Sequence, residues 1–210
     1  MFALSLPSYS REMGDVVAGK PHEPHPSEGD QDDGQIRSLV GKLAGKGSEI
    51  SARDLRAVLN EAFSTRMDIK FDGFDINTCR EMVSLMDSNG TGTLEFAEFK
   101  TLWLKIQKYL EIYLETDDNH SGTIDAHEMR TALRKAGEGA PCRQGFTLSN
   151  QVQQGIATRY ACGKLSIDFD GFVACMIRLE TLFKLFALLD KDQDGAVQLS
   201  LAEWLCCALV

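Results

Sequence analysis

Apolar residues recur every three to four positions along much of this chain, and the two longest such stretches are 96–116 and 171–189. That spacing puts the apolar side chains on one face of an α-helix, so both segments are predicted to be amphipathic helices. The apolar face could form a ligand groove, but we favour a seam in the core. The repeating positions are Phe96, Phe99, Leu102, Trp103, Ile106, Leu110 and Tyr113, and then Phe172, Cys175, Met176, Leu179, Leu182, Phe183, Phe186 and Leu189.

The first 34 residues lack this pattern. The part from Lys20 to Gly34 is rich in proline, glycine and charge and has almost no apolar residue, so it has nothing to bury in a core. We therefore predict a disordered leader or linker over 1–34 and a single folded, all-α domain over 35–210.

Two acidic segments of twelve residues, 87–98 and 117–128, share one pattern of oxygen-bearing residues. A hard cation such as Ca²⁺ takes its oxygens from positions 1, 3, 5, 7, 9 and 12 of a helix–loop–helix calcium loop, with glycine at position 6 for the sharp turn. Gly92 and Gly122 stand at position 6. We therefore predict two strong Ca²⁺ sites. Their ligands, with position 7 acting through its carbonyl, are Asp87, Asn89, Thr91, Thr93, Glu95 and Glu98, and Asp117, Asn119, Ser121, Thr123, Asp125 and Glu128.

These segments belong to a longer internal repeat. A further acidic stretch begins at Asp190, residues 165–170 have the form of the second half of a loop, and 44–54 has the same form with one residue fewer. Five helix–loop–helix units are therefore predicted. Neighbouring loops start 30 residues apart (117 − 87 and 190 − 160), which leaves room for one shared helix. In chain order the loops are the first loop (44–54), second loop (87–98), third loop (117–128), fourth loop (160–171) and fifth loop (190–201).

Five units, a short first loop and a fifth loop without glutamate at position 12 resemble the penta-EF-hand family, in which short loop strands pair. Over 35–210 the chain is most similar to the C-terminal calcium-binding domain of calpain large subunits, and its last ten residues resemble a digestive-tract member. Residues 138–145 depart from the family as an insertion, which we interpret as a surface loop and not as a site. The resembling segments are 45–52, 71–74, 77–80, 98–107 and 203–205.

The resemblance implies two weaker calcium sites. In the first loop the candidate ligands are Ala44, Glu49 and Asp54, but this loop is compromised because Gly47 has no side-chain oxygen and Asp54 is one methylene shorter than glutamate.

Beside the fourth loop, the family holds a low-affinity ion, and the matching residues are Asp72, Asp168 and Asp170. A solvated acidic cluster is the alternative that we weigh against this site, because Gly171 replaces an asparagine and Lys164 would repel an ion.

The fifth loop begins with good ligands but has Gln198 at position 9 and Leu201 at position 12, so we expect it to remain empty. Units pair through the apolar residue at position 8, and Val197 of an odd fifth unit would have no partner within the chain. An unpaired edge needs a cover. The resemblance implies that the cover is the fifth unit of a calpain small subunit or of a second copy of this chain.

Composition narrows the function further. The chain has 31 acidic and 22 basic residues and a net charge of −9, which argues against nucleic-acid binding. No apolar run reaches the roughly 18 to 20 residues of a membrane span. Reduced thiols in a cytoplasmic protein are the favoured interpretation of the cysteines, ahead of disulfides or a zinc site. The cysteines are Cys79, Cys142, Cys162, Cys175, Cys206 and Cys207.

The leading functional interpretation is a calcium-binding regulatory and dimerisation module, resembling part of a calcium-dependent cysteine protease. No cysteine–histidine arrangement for catalysis is evident, since His120 and His127 both fall inside the third loop. We therefore expect a non-catalytic region. The alternative is a stand-alone penta-EF-hand calcium-sensor adaptor. A simple buffer is disfavoured because several ligand positions carry neutral side chains.

Overall fold

The computed structural model describes most of the predicted domain, namely residues 49–137, 148–161, 166–192 and 194–209. The predicted leader 1–34, the first-loop candidate Ala44 and the insertion 138–145 lie outside the described residues.

Seven α-helices dominate the described residues, which contain no strand longer than an isolated bridge, and this confirms an all-α EF-hand fold. The helix from 96 to 116 joins the second and third loops, and that from 169 to 189 joins the fourth and fifth, so each is shared by two units as predicted. In chain order the helices are α1 (Ala52–Phe63), α2 (Ile76–Met86), α3 (Phe96–Thr116), α4 (Ala126–Gly137), α5 (Asn150–Tyr160), α6 (Phe169–Leu189) and α7 (Leu201–Leu209).

Acidic residues at the ends of the loops also begin the helices that follow. Glu98 accepts a hydrogen bond from the Glu95 N–H at 3.0 Å at the start of α3. Asp54 does the same for the Ser51 N–H at 3.1 Å before α1. These bonds satisfy amide groups that have no partner in the first helical turn.

The loops associate in pairs through their apolar position 8. Ile50 and Leu94 exchange two main-chain hydrogen bonds of 2.8 and 2.9 Å, which joins the first loop to the second. Ile124 and Ile167 do the same at 2.8 and 2.7 Å, which joins the third loop to the fourth. The apolar side chains of all four residues are buried, so each bridge is part of the core. The predicted pairing of short loop strands is therefore present.

An aromatic cluster joins these two pairs of loops. The ring of Phe169, at the start of α6, lies 5.2 Å from Phe63 on α1 and 5.4 Å from Tyr113 on α3. All three side chains are fully buried. Tilted and edge-on contacts at these distances add to the gain from burying apolar area. Buried residues of all six helices from α1 to α6 belong to the same apolar core.

A polar contact near the middle of two helices ties α3 to α6. Lys105 donates hydrogen bonds to both carboxylate oxygens of Glu180, at 2.8 and 2.6 Å, and the Tyr109 hydroxyl donates to the same carboxylate at 2.5 Å. Burial is the main cause that raises the pKa of Tyr109 far above its usual value, with the Glu180 carboxylate adding to it. The tyrosine therefore remains a hydrogen-bond donor across the physiological range.

None of the described helices combines the length and the apolar character needed to cross a membrane.

Candidate calcium-binding sites

The second loop is folded around its first residue. The Asp87 carboxylate accepts hydrogen bonds from the N–H groups of Gly90 at 2.8 Å and Gly92 at 2.7 Å. Gly92 has φ of 77°, a left-handed conformation that glycine adopts without strain. The Thr91 hydroxyl lies 3.2 Å from the Thr93 carbonyl oxygen. Ligand positions 1, 5 and 7 are thus turned toward the inside of one loop.

Glu98, at the last predicted ligand position of the second loop, reaches back to the start of that loop. Glu98 accepts hydrogen bonds from the Ser88 hydroxyl at 2.6 Å and the Ser88 N–H at 2.9 Å. These bonds hold the pKa of Glu98 below its usual value. The Asn89 amide donates to Glu95 at 2.9 Å, which brings positions 3 and 9 together.

The third loop repeats this arrangement. The Asp117 carboxylate accepts from the N–H groups of Ser121 at 2.9 Å and Gly122 at 2.8 Å. The Ser121 hydroxyl donates to the Thr123 carbonyl at 2.9 Å. Positions 1, 5 and 7 are therefore arranged as in the second loop.

Positions 3 and 12 of the third loop come together, whereas the Asp125 side chain at position 9 accepts from the N–H groups of His127 at 2.7 Å and Glu128 at 2.8 Å at the start of α4. The Asn119 amide donates to Glu128 at 3.1 Å, and the Glu128 carboxylate accepts from the Asp125 N–H at 2.8 Å. In both loops the first aspartate accepts from the N–H of the glycine at position 6, and the last glutamate accepts from the N–H at position 9. The assignment of the twelve residues as ligands remains a prediction.

Two carboxylates of the third loop are buried, which bears on whether this loop suits a cation. Asp117 is 3% and Glu128 6% exposed, and among the described ion pairs none involves either carboxylate. Buried carboxylates are costly unless they are paired or coordinate a metal. Hard carboxylate, amide, hydroxyl and carbonyl oxygens are the donors that Ca²⁺ takes. The residues of the third loop therefore fit Ca²⁺.

Of the three predicted ligands in the first loop, only Glu49 and Asp54 lie within the described residues. Asp54 accepts from Ser51, through the hydroxyl at 2.6 Å and the N–H, and thereby caps α1. Glu49 is exposed and accepts a hydrogen bond of 3.2 Å from the Thr93 hydroxyl of the second loop. The assignment of Ala44, Glu49 and Asp54 as ligands remains a prediction.

The fourth-loop candidates come together from two distant parts of the chain. Asp72, in the connection between α1 and α2, donates its N–H to the Asp170 carboxylate at 3.1 Å. Asp168 is buried and accepts from the Gly171 N–H at 3.1 Å as it caps α6. Burial and the neighbouring Asp168 carboxylate raise the pKa of Asp170 to about 6. The repulsion between these carboxylates is the kind that a cation relieves, and their role as ligands remains a prediction.

The fifth loop ends two residues later than the others. Helices α1, α3, α4 and α6 each begin two residues after the bridge residues Ile50, Leu94, Ile124 and Ile167. Helix α7 begins at Leu201, so by this count Leu199, and not the predicted Val197, occupies the equivalent position. Glu203 accepts from the Ser200 N–H at 2.8 Å, the contact that Glu98 and Glu128 make in their own loops.

Three aspartates cluster in the fifth loop. The side-chain oxygens of Asp190, Asp192 and Asp194 lie within 4.8 Å of one another, the one such acidic cluster found among the described residues. Asp190 accepts from the Gly195 N–H at 3.1 Å, as Asp87 and Asp117 accept from their own glycines. The first half of the loop is therefore built like the others, while its second half is longer.

An apolar surface flanks the fifth loop. Leu201, Trp204 and Leu205 of α7 are 74%, 58% and 49% exposed, and Leu182 and Phe186 of α6 are also exposed. Clustered exposed apolar residues are typical of interaction surfaces.

Comparisons with known proteins agree with this geometry. A family model described as EF hand matches residues 115–133, which include the third loop. Calpain-8 of Homo sapiens is 76% identical over 199 residues, which are 95% of this chain and 27% of calpain-8. This chain is homologous to the C-terminal EF-hand domain of the calpains. The calpain-2 catalytic subunit of Homo sapiens is 49% identical over 180 residues, which are 86% of this chain and 24% of that subunit.

The chain spans about a quarter of the length of these calpains, and the matched region is the non-catalytic EF-hand part without a protease domain. The fold of this chain also resembles a homologue of programmed cell death 6 protein from Leishmania major Friedlin, with a TM-score of 0.56 and 22% identity over 84% of this chain and 91% of that one. At that identity the likeness supports the fold alone. The digestive-tract resemblance points to calpain-9 in particular, and that finer assignment stays a prediction.

One part of the site was missed by sequence reasoning. Lys70 donates its N–H to the Gly122 carbonyl at 2.8 Å and accepts at its own carbonyl from the Phe169 N–H at 3.0 Å. The connection between α1 and α2 therefore contacts the third loop and the start of α6 through its main chain. Main-chain contacts do not depend on a particular side chain, so the identity of Lys70 carried no signal.

Proposed function

We propose that this chain is the calcium-binding regulatory and dimerisation module of a calpain large subunit in the cytoplasm. The observation that supports calcium binding most directly is the matched arrangement of the second and third loops. In each, the first aspartate is held by the glycine at position 6, and a glutamate approaches from the following helix. The calpain homology supports the proposal that the parent protein is a calcium-dependent cysteine endopeptidase.

The proposed partner is a calpain small subunit or a second copy of this chain. The exposed side chains of Leu201, Trp204 and Leu205 support this proposal, because the described helices leave them uncovered. No bridge to the fifth loop is found among the described residues, which is consistent with pairing of Leu199 with a second fifth unit. The 76% sequence identity to calpain-8 of Homo sapiens favours this function over that of a stand-alone adaptor.

Calorimetry with calcium tests the proposal. Wild-type chain should bind two ions tightly, and Glu98→Gln combined with Glu128→Gln should lose both binding events, because each glutamate is expected to give two oxygens to its ion. Asp118→Asn is the matched control, since it removes a negative charge from position 2 of the third loop, outside the ligand set. Two tight sites in the double variant would refute the ligand assignment.

A further inference from the structure

The connection between α1 and α2 is bonded to two loops that are far away in sequence. Lys70 donates to the Gly122 carbonyl at 2.8 Å, and its carbonyl accepts from Phe169 at 3.0 Å. Two residues later, the Asp72 N–H donates to the Asp170 carboxylate at 3.1 Å. A single short segment, 70–72, is therefore held between the third loop and the fourth-loop carboxylates.

The far end of the connection is also fixed. Phe74 is buried and exchanges hydrogen bonds with the Asn60 side chain on α1, 2.8 Å from its N–H and 3.3 Å to its carbonyl. Segment 70–72 therefore cannot swing away as a free loop.

A buried hydroxyl holds the same carbonyl. Tyr113, in the last turn of α3, is fully buried, and its hydroxyl lies 2.9 Å from the Gly122 carbonyl oxygen and 3.1 Å from that of Ile167. The Gly122 carbonyl thus accepts from both Lys70 and Tyr113. Gly122 has φ of 75°, and a Cβ there would lie 3.2 Å from the Lys70 nitrogen, so glycine permits this close approach.

The predicted calcium ligand of this turn lies between two residues that are held by hydrogen bonds. Thr123, whose carbonyl occupies position 7, is preceded by Gly122 and followed by Ile124. Ile124 is itself fixed by hydrogen bonds of 2.8 and 2.7 Å exchanged with Ile167. The Thr123 carbonyl shares a planar peptide unit with the Ile124 nitrogen, and only the two dihedrals of Thr123 separate it from the Gly122 carbonyl. The hydrogen bonds at Gly122 and Ile124 restrict those dihedrals.

We propose that segment 70–72 and the Tyr113 hydroxyl couple calcium occupancy of the third loop to the ordering of Asp72 beside Asp170. This coupling rests on the proposed calcium function of the third loop. Residues 122–124 would be fixed when the Thr123 carbonyl binds an ion, and the Lys70 N–H would then keep its bond to Gly122 and the Asp72 N–H its bond to Asp170. Linkage is reciprocal, so the factor by which calcium favours the ordered segment is the factor by which the ordered segment favours calcium binding. A change that loosens the Gly122 carbonyl should therefore weaken calcium binding.

Amide hydrogen exchange on the 210-residue chain, with and without calcium chloride, tests the first half of the coupling. Calcium should slow exchange of the Lys70 and Asp72 amides. Glu128→Gln should abolish that slowing, whereas Glu98→Gln, which alters the second loop, should keep it. Slowing that disappears with Glu98→Gln but survives Glu128→Gln would overturn the coupling, and so would no slowing at all in a protein that binds calcium at the third loop.

The reciprocal half is tested by removing the hydroxyl. In a Glu98→Gln background, where calorimetry reports the third loop alone, Tyr113→Phe should raise the calcium Kd roughly threefold to tenfold, the range expected for one hydrogen bond. Tyr109→Phe is the matched control, since it removes a buried hydroxyl that contacts Glu180 instead, and should leave this Kd unchanged. An unchanged Kd in Tyr113→Phe would overturn the role of the hydroxyl.

These experiments distinguish a failure of the proposed calcium binding at the third loop from a failure of the proposed coupling. If the Glu98→Gln chain shows no calcium heat at all, the proposed function of the third loop is wrong, and the coupling falls with it. If that chain binds calcium but its Lys70 amide exchanges at the same rate, only the coupling is wrong. The comparison of Glu98→Gln with Glu128→Gln needs no change to the core, so it remains decisive even if Tyr113→Phe fails to fold.

Discussion

His120 holds in the third loop the left-handed backbone conformation that Gly90 holds in the second, with φ of 52° and 74°. Both residues occupy position 4 of their loops. A left-handed conformation costs an L-residue roughly 1 to 2 kcal/mol, and glycine avoids that cost while losing more entropy on folding. The third loop therefore carries a local strain that the second loop lacks.

That strain gives a first prediction about stability. His120→Gly should raise the free energy of unfolding by up to about 1 kcal/mol, whereas His120→Val should lower it by about 1 to 2 kcal/mol because a β-branched residue is poorly tolerated at positive φ. Urea unfolding without calcium measures both. Equal midpoints for the valine variant and the wild type would contradict the assigned conformation.

The aromatic cluster around Phe169 gives a second prediction. Phe169→Ala should lower the free energy of unfolding by about 3 to 5 kcal/mol, because it empties a site in contact with α1 and α3. Leu104→Ala, at a half-exposed position of α3, is the control and should cost much less. Urea unfolding followed by circular dichroism measures both. A loss below about 1 kcal/mol for Phe169→Ala would mean that the ring is not in the shared core.

The apolar surface of α7 gives a third prediction. Leu201→Asp together with Leu205→Asp should convert a dimer, or a complex with a calpain small subunit, into monomers, because burying an unpaired charge costs several kcal/mol. Both side chains are exposed within the chain, so folding should be retained. Sedimentation with and without calcium measures the outcome, with Leu104→Asp as the control. If the wild type stays monomeric at high concentration and does not bind the small subunit, the dimer proposal is wrong.

Thiol reactivity gives a fourth prediction. Burial raises the pKa of Cys79 and of Cys175 to about 12, whereas Cys206 is exposed on α7. At pH 8 only about one part in 10⁴ of a thiol with that pKa is ionised, and the thiolate is the reactive form. Iodoacetamide at pH 8 should therefore label Cys206 before Cys79 and Cys175. Mass spectrometry that finds Cys79 or Cys175 labelled as fast as Cys206 in folded protein would contradict the described burial.

Much of the fold could be predicted because it rests on local signals. The apolar repeat over 96–116 predicted α3 with its observed bounds, since a helix facing a core must show that period. The apolar position 8 predicted the bridges at Leu94 and Ile124. In both cases the structure requires an apolar residue at the position, so the sequence alone reveals it.

The fifth loop shows where counting along the sequence fails. A count of twelve residues from Asp190 assigned position 8 to Val197, but α7 begins late and Leu199 takes that place. The signal was present, because Ser200 and Glu203 have the spacing of a capping box and exchange its reciprocal hydrogen bonds. In this loop, the residue at which the following helix begins is a better guide to position 8 than the first acidic residue.

Contacts made by the main chain were beyond sequence reasoning. The bonds from Lys70 to Gly122 and from Asp72 to Asp170 join segments about 50 and 100 residues apart. Asp72 entered the candidate set only through family resemblance. Nothing in the local pattern of polar and apolar residues distinguishes such a segment from an ordinary connection.

The contact between Lys105 and Glu180 has a mechanical consequence. Lys105 is the tenth of 21 residues in α3, and Glu180 is the twelfth of 21 in α6, so the contact pins both helices near their midpoints. A helix of that length is about 31 Å long. Rotation about a central pivot moves the two ends of such a rod in opposite directions, by about 3 Å at each end for a tilt of about 10°. A tilt of α3 about this contact would therefore move the second loop and the third loop, at its two ends, in opposite directions.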